Sequence, residues 1–151
     1  MAVIDAHGFT IETADSATTA KEGLKVTTKT ACTLTKITKH ASNNANTAYL
    51  HDSGHSELAS ASFSGNDATF SYSLANATSY YVLTRNADSS MVNTRRTTSG
   101  GASYPVSGTN VDWVAGSSGG SDYTDFAWNI VSITTDAIVG GNQNILLMGI
   151  G

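Results

Sequence analysis

Two histidines stand close enough in the chain to suggest metal chemistry. His51 and His55, in "HDSGH", are four residues apart. On a helix this spacing lets two imidazoles share a metal ion. The Ser-Gly pair between them is typical of a turn, which does not force the two rings to converge. We therefore expect solvated turn histidines and no metal site.

Three aspartates, Asp112, Asp122 and Asp125, surround Trp113 and the loop "GSSGGSDY". Glycoside hydrolysis needs two carboxyl groups a few ångströms apart, so they raise the possibility of a hydrolase. Aspartates that cap turns in a polar loop are the simpler interpretation. The elbow motif GxSxG is absent, because "GHSEL" lacks its second glycine, and no phosphate-binding glycine motif occurs. We predict that the protein is not an enzyme and uses no cofactor.

Aromatic and arginine side chains indicate recognition more readily than catalysis. Sugars stack on flat aromatic faces and hydrogen-bond to polar groups at their rim. Trp, Tyr and Arg are equally frequent in cores and subunit contacts, so both interpretations stay open. The candidate contacts for a glycan or partner are Tyr81, Arg85, Arg95, Tyr104, Trp113 and Tyr123.

The elements that must position these residues follow a period of two. In "ATFSYSL", apolar Phe70, Tyr72 and Leu74 alternate with serines, which is typical of a strand with one buried and one solvent-exposed face. The turn-forming "GND" precedes it, and together they predict an antiparallel meander. Leu34 and Ile37 are three residues apart, so we expect a bulge between them.

The strand "SYYVLTRN" is apolar on both faces. Tyr80 and Val82 face one way, whereas Tyr81, Leu83 and Arg85 face the other. This pattern predicts a central strand buried on both sides. Tyr81 is then either structural or in contact with a partner.

Short strands at regular spacing, with no sustained helical period, predict an all-β fold. Two antiparallel sheets can bury their apolar faces against each other, so we predict a jelly-roll-like antiparallel β-sandwich. The expected division is an N-terminal arm over 1–20, the sandwich over 21–136, and an apolar C-terminal segment over 137–151.

The C-terminal segment is too apolar for a free tail. Burial of each such side chain contributes about 1.5–3 kcal/mol, so their joint exposure to water is unfavourable. We expect the segment to add a strand to the sandwich or to contact another subunit or the capsid. Its apolar residues are Ile145, Leu146, Leu147, Met148 and Ile150.

The composition excludes two classes of partner. Of 151 residues, 13% are charged and the net charge is -4, which argues against nucleic acid and anionic membranes because both need clustered Lys and Arg. Ser and Thr make up roughly a quarter of the chain, which gives a neutral, hydroxyl-rich surface. The single cysteine, Cys32, permits no internal disulfide. No stretch matches a secretory signal, so we expect synthesis in a cytoplasm.

The stretches "TAYLHDSGHSELASASFSG", "ATFSYSLANATSYYVLTRN" and "FAWNIVSITT" resemble β-sandwich, jelly-roll-like modules of tailed-bacteriophage structural proteins. The resemblance implies a non-enzymatic virion component. Short modules of this kind decorate and clamp capsids, commonly as trimers, whereas others form tail-fibre tips that bind host glycans. We therefore expect a homotrimeric capsid decoration protein, with tail-fibre or carbohydrate recognition as the alternative. The resemblance transfers no functional residue.

Overall fold

The computed structural model describes residues 1–138 and contains thirteen β-strands. The five apolar residues predicted as a subunit contact, Ile145, Leu146, Leu147, Met148 and Ile150, lie outside the described residues. The strands are β1 (Ala2–Ala6), β2 (Thr13–Ala14), β3 (Glu22–Thr28), β4 (Cys32–Lys39), β5 (Thr47–Asp52), β6 (Glu57–Ser64), β7 (Asp67–Leu74), β8 (Ser79–Arg85), β9 (Arg95–Arg96), β10 (Val106–Ser107), β11 (Val111–Ser118), β12 (Ser121–Tyr123) and β13 (Ile130–Ala137).

One curled antiparallel sheet contains eleven of these strands. Their order is β1-β13-β4-β7-β6-β5-β8-β3-β11-β10, and β12 pairs with β11. The remaining strands, β2 and β9, pair with each other. The fold is therefore all-β and β-sandwich-like, which confirms the fold class predicted from the sequence.

Strand β6 carries the sheet from one layer to the other. Its residues 57–62 pair with β5, whereas only Phe63 and Ser64 pair with β7. The strands on either side of β6 can therefore face each other across a common core. Both layers contribute to that core, which includes Leu24 of β3, Ile37 of β4 and Leu50 of β5.

The two ends of the curled sheet are joined by Asp5 of β1. Its carboxylate accepts hydrogen bonds from the backbone N–H groups of Thr109, Asn110 and Val111, at 2.5, 3.0 and 3.3 Å. A carboxylate that accepts several backbone N–H groups satisfies donors that would otherwise be buried unpaired. Asp5 itself is 3% exposed, so this contact is an internal part of the fold.

Two details predicted from the alternation of residues are confirmed. The pairing of β4 with β7 shifts register between Leu34 and Lys36, which is the bulge expected from the spacing of Leu34 and Ile37. Strand β8 lies between β5 and β3, and all five residues from Tyr80 to Thr84 are buried.

The N-terminal residues form more structure than the predicted arm. Strand β1 pairs with β13 along its whole length, and Ile11 is 2% exposed within the main core. The sequence missed this because an edge strand of five residues carries too few alternations to be recognised without its partner.

Candidate binding face of the sheet

The outer face of β5 and β8 carries a second apolar cluster. Alternation places Leu50 and Val82 in the core, and it turns Tyr49, Tyr81 and Leu83 outwards, where they contact one another. All three are at most 8% exposed. They are buried because charged side chains and loops cover this face.

Tyr81 is held by its ring and its hydroxyl. The hydroxyl donates a 2.7 Å hydrogen bond to Oδ1 of Asp122, and the ring of His55 stacks on the Tyr81 ring with 4.1 Å between centroids. Lys25 forms a 3.2 Å ion pair with Asp122 and lies 5.3 Å from the Tyr81 ring. Burial, followed by the hydrogen bond to Asp122, raises the pKa of Tyr81. The phenol therefore remains a neutral donor.

His51 lies beside Lys21 on the same face. The Lys21 ammonium donates a 3.0 Å hydrogen bond to Nε2 of His51, lies 4.0 Å from the Tyr49 ring and pairs with Glu57 at 3.5 Å. Burial and the charge of Lys21 lower the pKa of His51. Because Nε2 accepts from Lys21, the proton of the neutral ring is on Nδ1. That Nδ1 is buried and has no hydrogen-bond partner among the described residues.

The prediction of two solvated turn histidines is wrong for His51, which is 5% exposed. The turn begins one residue later, and Asp52 stabilises it by accepting hydrogen bonds from the backbone N–H groups of Gly54 and Ser56, both at 2.9 Å. His51 itself belongs to β5 and is covered by Lys21.

A pocket of about 260 Å³ opens beside this cluster. One wall is the hairpin between β11 and β12, where Gly119 and Gly120 have φ values of 58° and 85°, as a two-residue type I′ turn requires. Among residues 1–138, the guanidinium of Arg85 forms no hydrogen bond or ion pair, and its Nε is buried without a partner. The lining residues are Thr19, Ala20, Lys21, His51, His55, Leu83, Arg85, Gly119 and Gly120.

The structure separates the other predicted contacts from this pocket. Trp113 is fully buried in the main core, so its ring offers no surface to a glycan. Tyr104 and Tyr123 are half-buried, and both contact Phe126. The Tyr104 hydroxyl donates a 2.8 Å hydrogen bond to the Phe126 carbonyl, and the Tyr123 ring lies 6.3 Å from the Phe126 ring.

Arg95 lies away from Tyr81. It lies in β9, which pairs with β2, and its backbone N–H donates to the side chain of Asn129 at 2.8 Å. The strands that flank β8 are β5 and β3. Arg95 and Arg85 therefore belong to different parts of the molecule.

Two of the three carboxylates considered for hydrolysis, those of Asp112 and Asp122, are far apart. Asp122 lies opposite Ser117 on β11, five residues from Asp112, which corresponds to roughly 17 Å along a strand at ~3.3 Å per residue. Asp112 pairs with Lys29 at 3.7 Å, whereas Asp122 holds Tyr81 and Lys25. The two carboxylates of a glycosidase must lie about 5–10 Å apart. Asp112 and Asp122 therefore cannot form such a catalytic pair.

Residues 1–138 contain no group of three or more His, Cys, Asp or Glu side chains that could hold a metal ion. Within the same span, no helix has the length and apolarity needed to cross a membrane.

The fold defines the class of the protein as an antiparallel, β-sandwich-like all-β protein. Comparison of the chain with protein-family models, curated proteins and solved structures gave no match. The similarity to phage structural modules therefore remains a prediction from the sequence.

The sequence did not identify Lys21, which fixes the tautomer of His51. Its signal was present, because Lys21 alternates with Gly23 and Lys25 of β3 and so belongs to the same face of the sheet. The contact of Asp122 with Tyr81 had no such signal, since the two residues are forty-one positions apart.

Proposed function

We propose that the protein is a non-enzymatic structural protein of a virus particle, a capsid decoration protein that binds the capsid surface as a β-sandwich oligomer. The observation that supports this proposal is the exposed edge of the sheet at β1. Strand β1 ends the strand order of the described residues, so one of its edges is open for pairing with another chain, and its Ile4 is 68% exposed.

The chain leaves the described structure at the same edge. Ala2 pairs with Asp136, and β13 ends one residue later, at Ala137. The apolar residues between 145 and 150 therefore follow closely on the strand that borders β1. An open strand edge, together with an apolar segment that could pair with the edge of a neighbouring subunit, is a combination by which β-proteins add strands between chains.

Light scattering over a range of concentrations tests the oligomer. We expect a trimer for the full chain and a lower mass after deletion of residues 143–151. The Ile4→Ser variant should also lower the mass, whereas Val92→Ser should not. Val92 is the matched control because it is 60% exposed but lies outside the strands. A monomeric full chain, with all variants identical to it, would contradict the proposal.

The assignment to a virion has its own test. Mass spectrometry of density-gradient-purified particles from the organism that carries the gene should detect peptides of this chain in fixed ratio to the capsid protein. Their absence from particles that contain the capsid protein would contradict the decoration role, even if the protein is a trimer.

Carbohydrate recognition, as at a tail-fibre tip, is the second candidate function. The half-buried ring of His55, which lines the pocket together with the unpaired Arg85, favours it. A glycan-binding screen of the purified protein and its Arg85→Gln variant tests this candidate. We expect binding by the parent protein that the substitution weakens.

A further inference from the structure

Two side chains that line the pocket beside β8, those of Arg85 and His51, carry hydrogen-bond donors without partners among the described residues. The Arg85 guanidinium carries five N–H donors. Among the described residues it forms no ion pair, and its Nε is buried without a partner. His51, which also lines the pocket, has a buried Nδ1–H without a partner. Unpaired buried donors are unfavourable in a folded protein, and a ligand with acceptor atoms removes that cost.

The carboxylates near the pocket are already engaged. Glu57 pairs with Lys21 at 3.5 Å. Asp52 accepts the backbone N–H groups of Gly54 and Ser56. Within the described residues neither carboxylate forms an ion pair with Arg85, so the positive charge of Arg85 has no counter-charge.

We propose that this pocket binds the oxyanion group, a carboxylate or a phosphate, of a small polar ligand. Such a group only accepts hydrogen bonds and carries negative charge, so it matches both unsatisfied properties of Arg85, whose planar fork suits two oxygens at once. A neutral hydroxyl matches neither the charge nor the paired geometry.

The size of the pocket limits the ligand. About 260 Å³ is below the ~300–1,000 Å³ of sites for drug-sized molecules. A single acidic sugar or sugar phosphate is of suitable size, with its oxyanion on Arg85 and its ring toward His51 and His55. The inference rests on the location given by the second candidate function and adds the charged group that the ligand must carry. It does not depend on oligomer formation.

Nitrogen NMR of the arginine side chains tests the proposal on the full-length protein. The chain has three arginines, Arg85, Arg95 and Arg96, so their Nε–H signals can be resolved. Sodium glucuronate, glucose and inorganic phosphate are titrated separately. Glucuronate differs from glucose by the carboxylate that replaces the hydroxymethyl group. We expect glucuronate to shift the Arg85 Nε–H and His51 Nδ1 signals, and glucose to leave both unchanged.

Variants supply the second measurement. Arg85→Gln should weaken glucuronate binding by at least roughly tenfold, as expected for the loss of a charged hydrogen-bonded contact. Arg95→Gln is the matched control, because Arg95 is also half-buried with an unpaired Nε but does not line the pocket. It should change the affinity less than about twofold, within the scatter of distant surface substitutions.

Each outcome has one meaning. Binding of glucuronate or phosphate that depends on Arg85 supports the oxyanion site, and their relative affinities identify the source of the group. Equal binding of glucose and glucuronate would overturn the oxyanion inference while carbohydrate recognition survives. No shift of Arg85 with any of the three probes at millimolar concentration, or binding unaffected by Arg85→Gln, would overturn the inference.

Discussion

Glu22 is a buried carboxyl whose ionisation opposes folding. Ser118 donates to its Oε1 at 3.1 Å and Asn129 donates to its Oε2 at 3.4 Å, yet the residue is only 4% exposed. Burial raises the pKa of Glu22 from 4.5 to about 7, and the nearby charge of Asp15 adds to the shift. Between these two pH values the folded protein binds more protons than the unfolded chain. The contribution of Glu22 to stability is thus complete below pH 4.5 and is lost as the pH rises through 7.

We predict that Glu22→Gln stabilises the protein relative to the parent as the pH rises. The difference in unfolding free energy between variant and parent should increase by about 3 kcal/mol from pH 4.5 to pH 8, since the shift spans ~2.5 pKa units at 1.36 kcal/mol each. Urea denaturation at several pH values measures this difference.

The pH dependence of stability must be measured as a difference between variant and parent. Other groups change the stability with pH in the opposite direction to Glu22. Burial lowers the pKa of His7 and of His51. For each of them the unfolded chain binds the extra proton, so their contribution to stability is lost as the pH falls below 6.5. These contributions cancel between Glu22→Gln and the parent. A difference that does not change with pH would show that Glu22 has an ordinary pKa.

Substitutions of Tyr81 separate the stability contributed by burial of its ring from that contributed by the hydrogen bond of its hydroxyl. Since it is 3% exposed, Tyr81→Ala should cost about 3–5 kcal/mol, as aromatic truncations in cores do. Tyr81→Phe removes only the hydroxyl bonded to Asp122 and should cost about 1 kcal/mol, because the Asp122 side chain is 40% exposed and solvent replaces part of the interaction.

Thermal and chemical unfolding measure both changes at Tyr81. Tyr123→Phe is the control, since the Tyr123 hydroxyl forms no hydrogen bond within residues 1–138, and its removal should leave the stability unchanged. A Tyr81→Ala variant as stable as the parent would place Tyr81 on a free surface.

Alternation along single strands was the most reliable guide at the scale of elements. It predicted the bulge of β4 and the double burial of β8, because both depend on the order of apolar residues within one strand. It could not place β1, or separate Arg95 from β8, because these depend on which strands pair. Pairing between β1 and β13 joins residues at opposite ends of the described chain, and a period of two carries no information about such partners.

Asp5 links β1 to residues 109–111, which lie more than a hundred positions away in the chain. Its removal should therefore weaken the fold. Asp5→Ala leaves three backbone N–H groups of residues 109–111 without their acceptor. At about 1–3 kcal/mol for each unpaired buried donor, partly offset by water entry, we expect a loss of at least about 3 kcal/mol.

Urea denaturation of Asp5→Ala and of a control, Asp136→Ala, measures this loss. Asp136 lies beside Ala2 in the neighbouring strand, and among the described residues its carboxylate forms no hydrogen bond or ion pair. The control should therefore stay within about 0.5 kcal/mol of the parent. Equal effects of the two substitutions would show that the contact at Asp5 does not join the sheet ends.

At the scale of the whole molecule, composition and strand spacing were sufficient for the all-β class. They were insufficient for the binding face. The pocket combines Lys21 from before β3, His51 from β5, Arg85 from β8 and the turn at Gly119. These pieces meet only because β8 lies between β5 and β3, with β11 beyond β3. The sequence supplied single candidates such as Arg85, and the strand order determined their neighbours.

The proposed assembly through β1 and the segment after β13 would have a thermodynamic consequence for the whole molecule. If the folded subunits associate and the unfolded chains do not, the melting temperature rises with protein concentration. For a trimer, each tenfold increase in concentration raises the free energy of unfolding by about 1 kcal/mol per subunit. This raises the melting temperature by about 2–4 °C for a chain of this size.

We therefore predict a concentration-dependent melting temperature for the full chain. The chain lacking residues 143–151 should melt at a temperature independent of concentration, because the deletion removes the proposed subunit contact and leaves the strand that ends at Ala137 intact. Differential scanning calorimetry over a hundredfold range of concentration measures both slopes. Two flat slopes with a much lower melting temperature for the shortened chain would assign the segment to the core of its own subunit. Two equal rising slopes would instead place the whole subunit contact within residues 1–142.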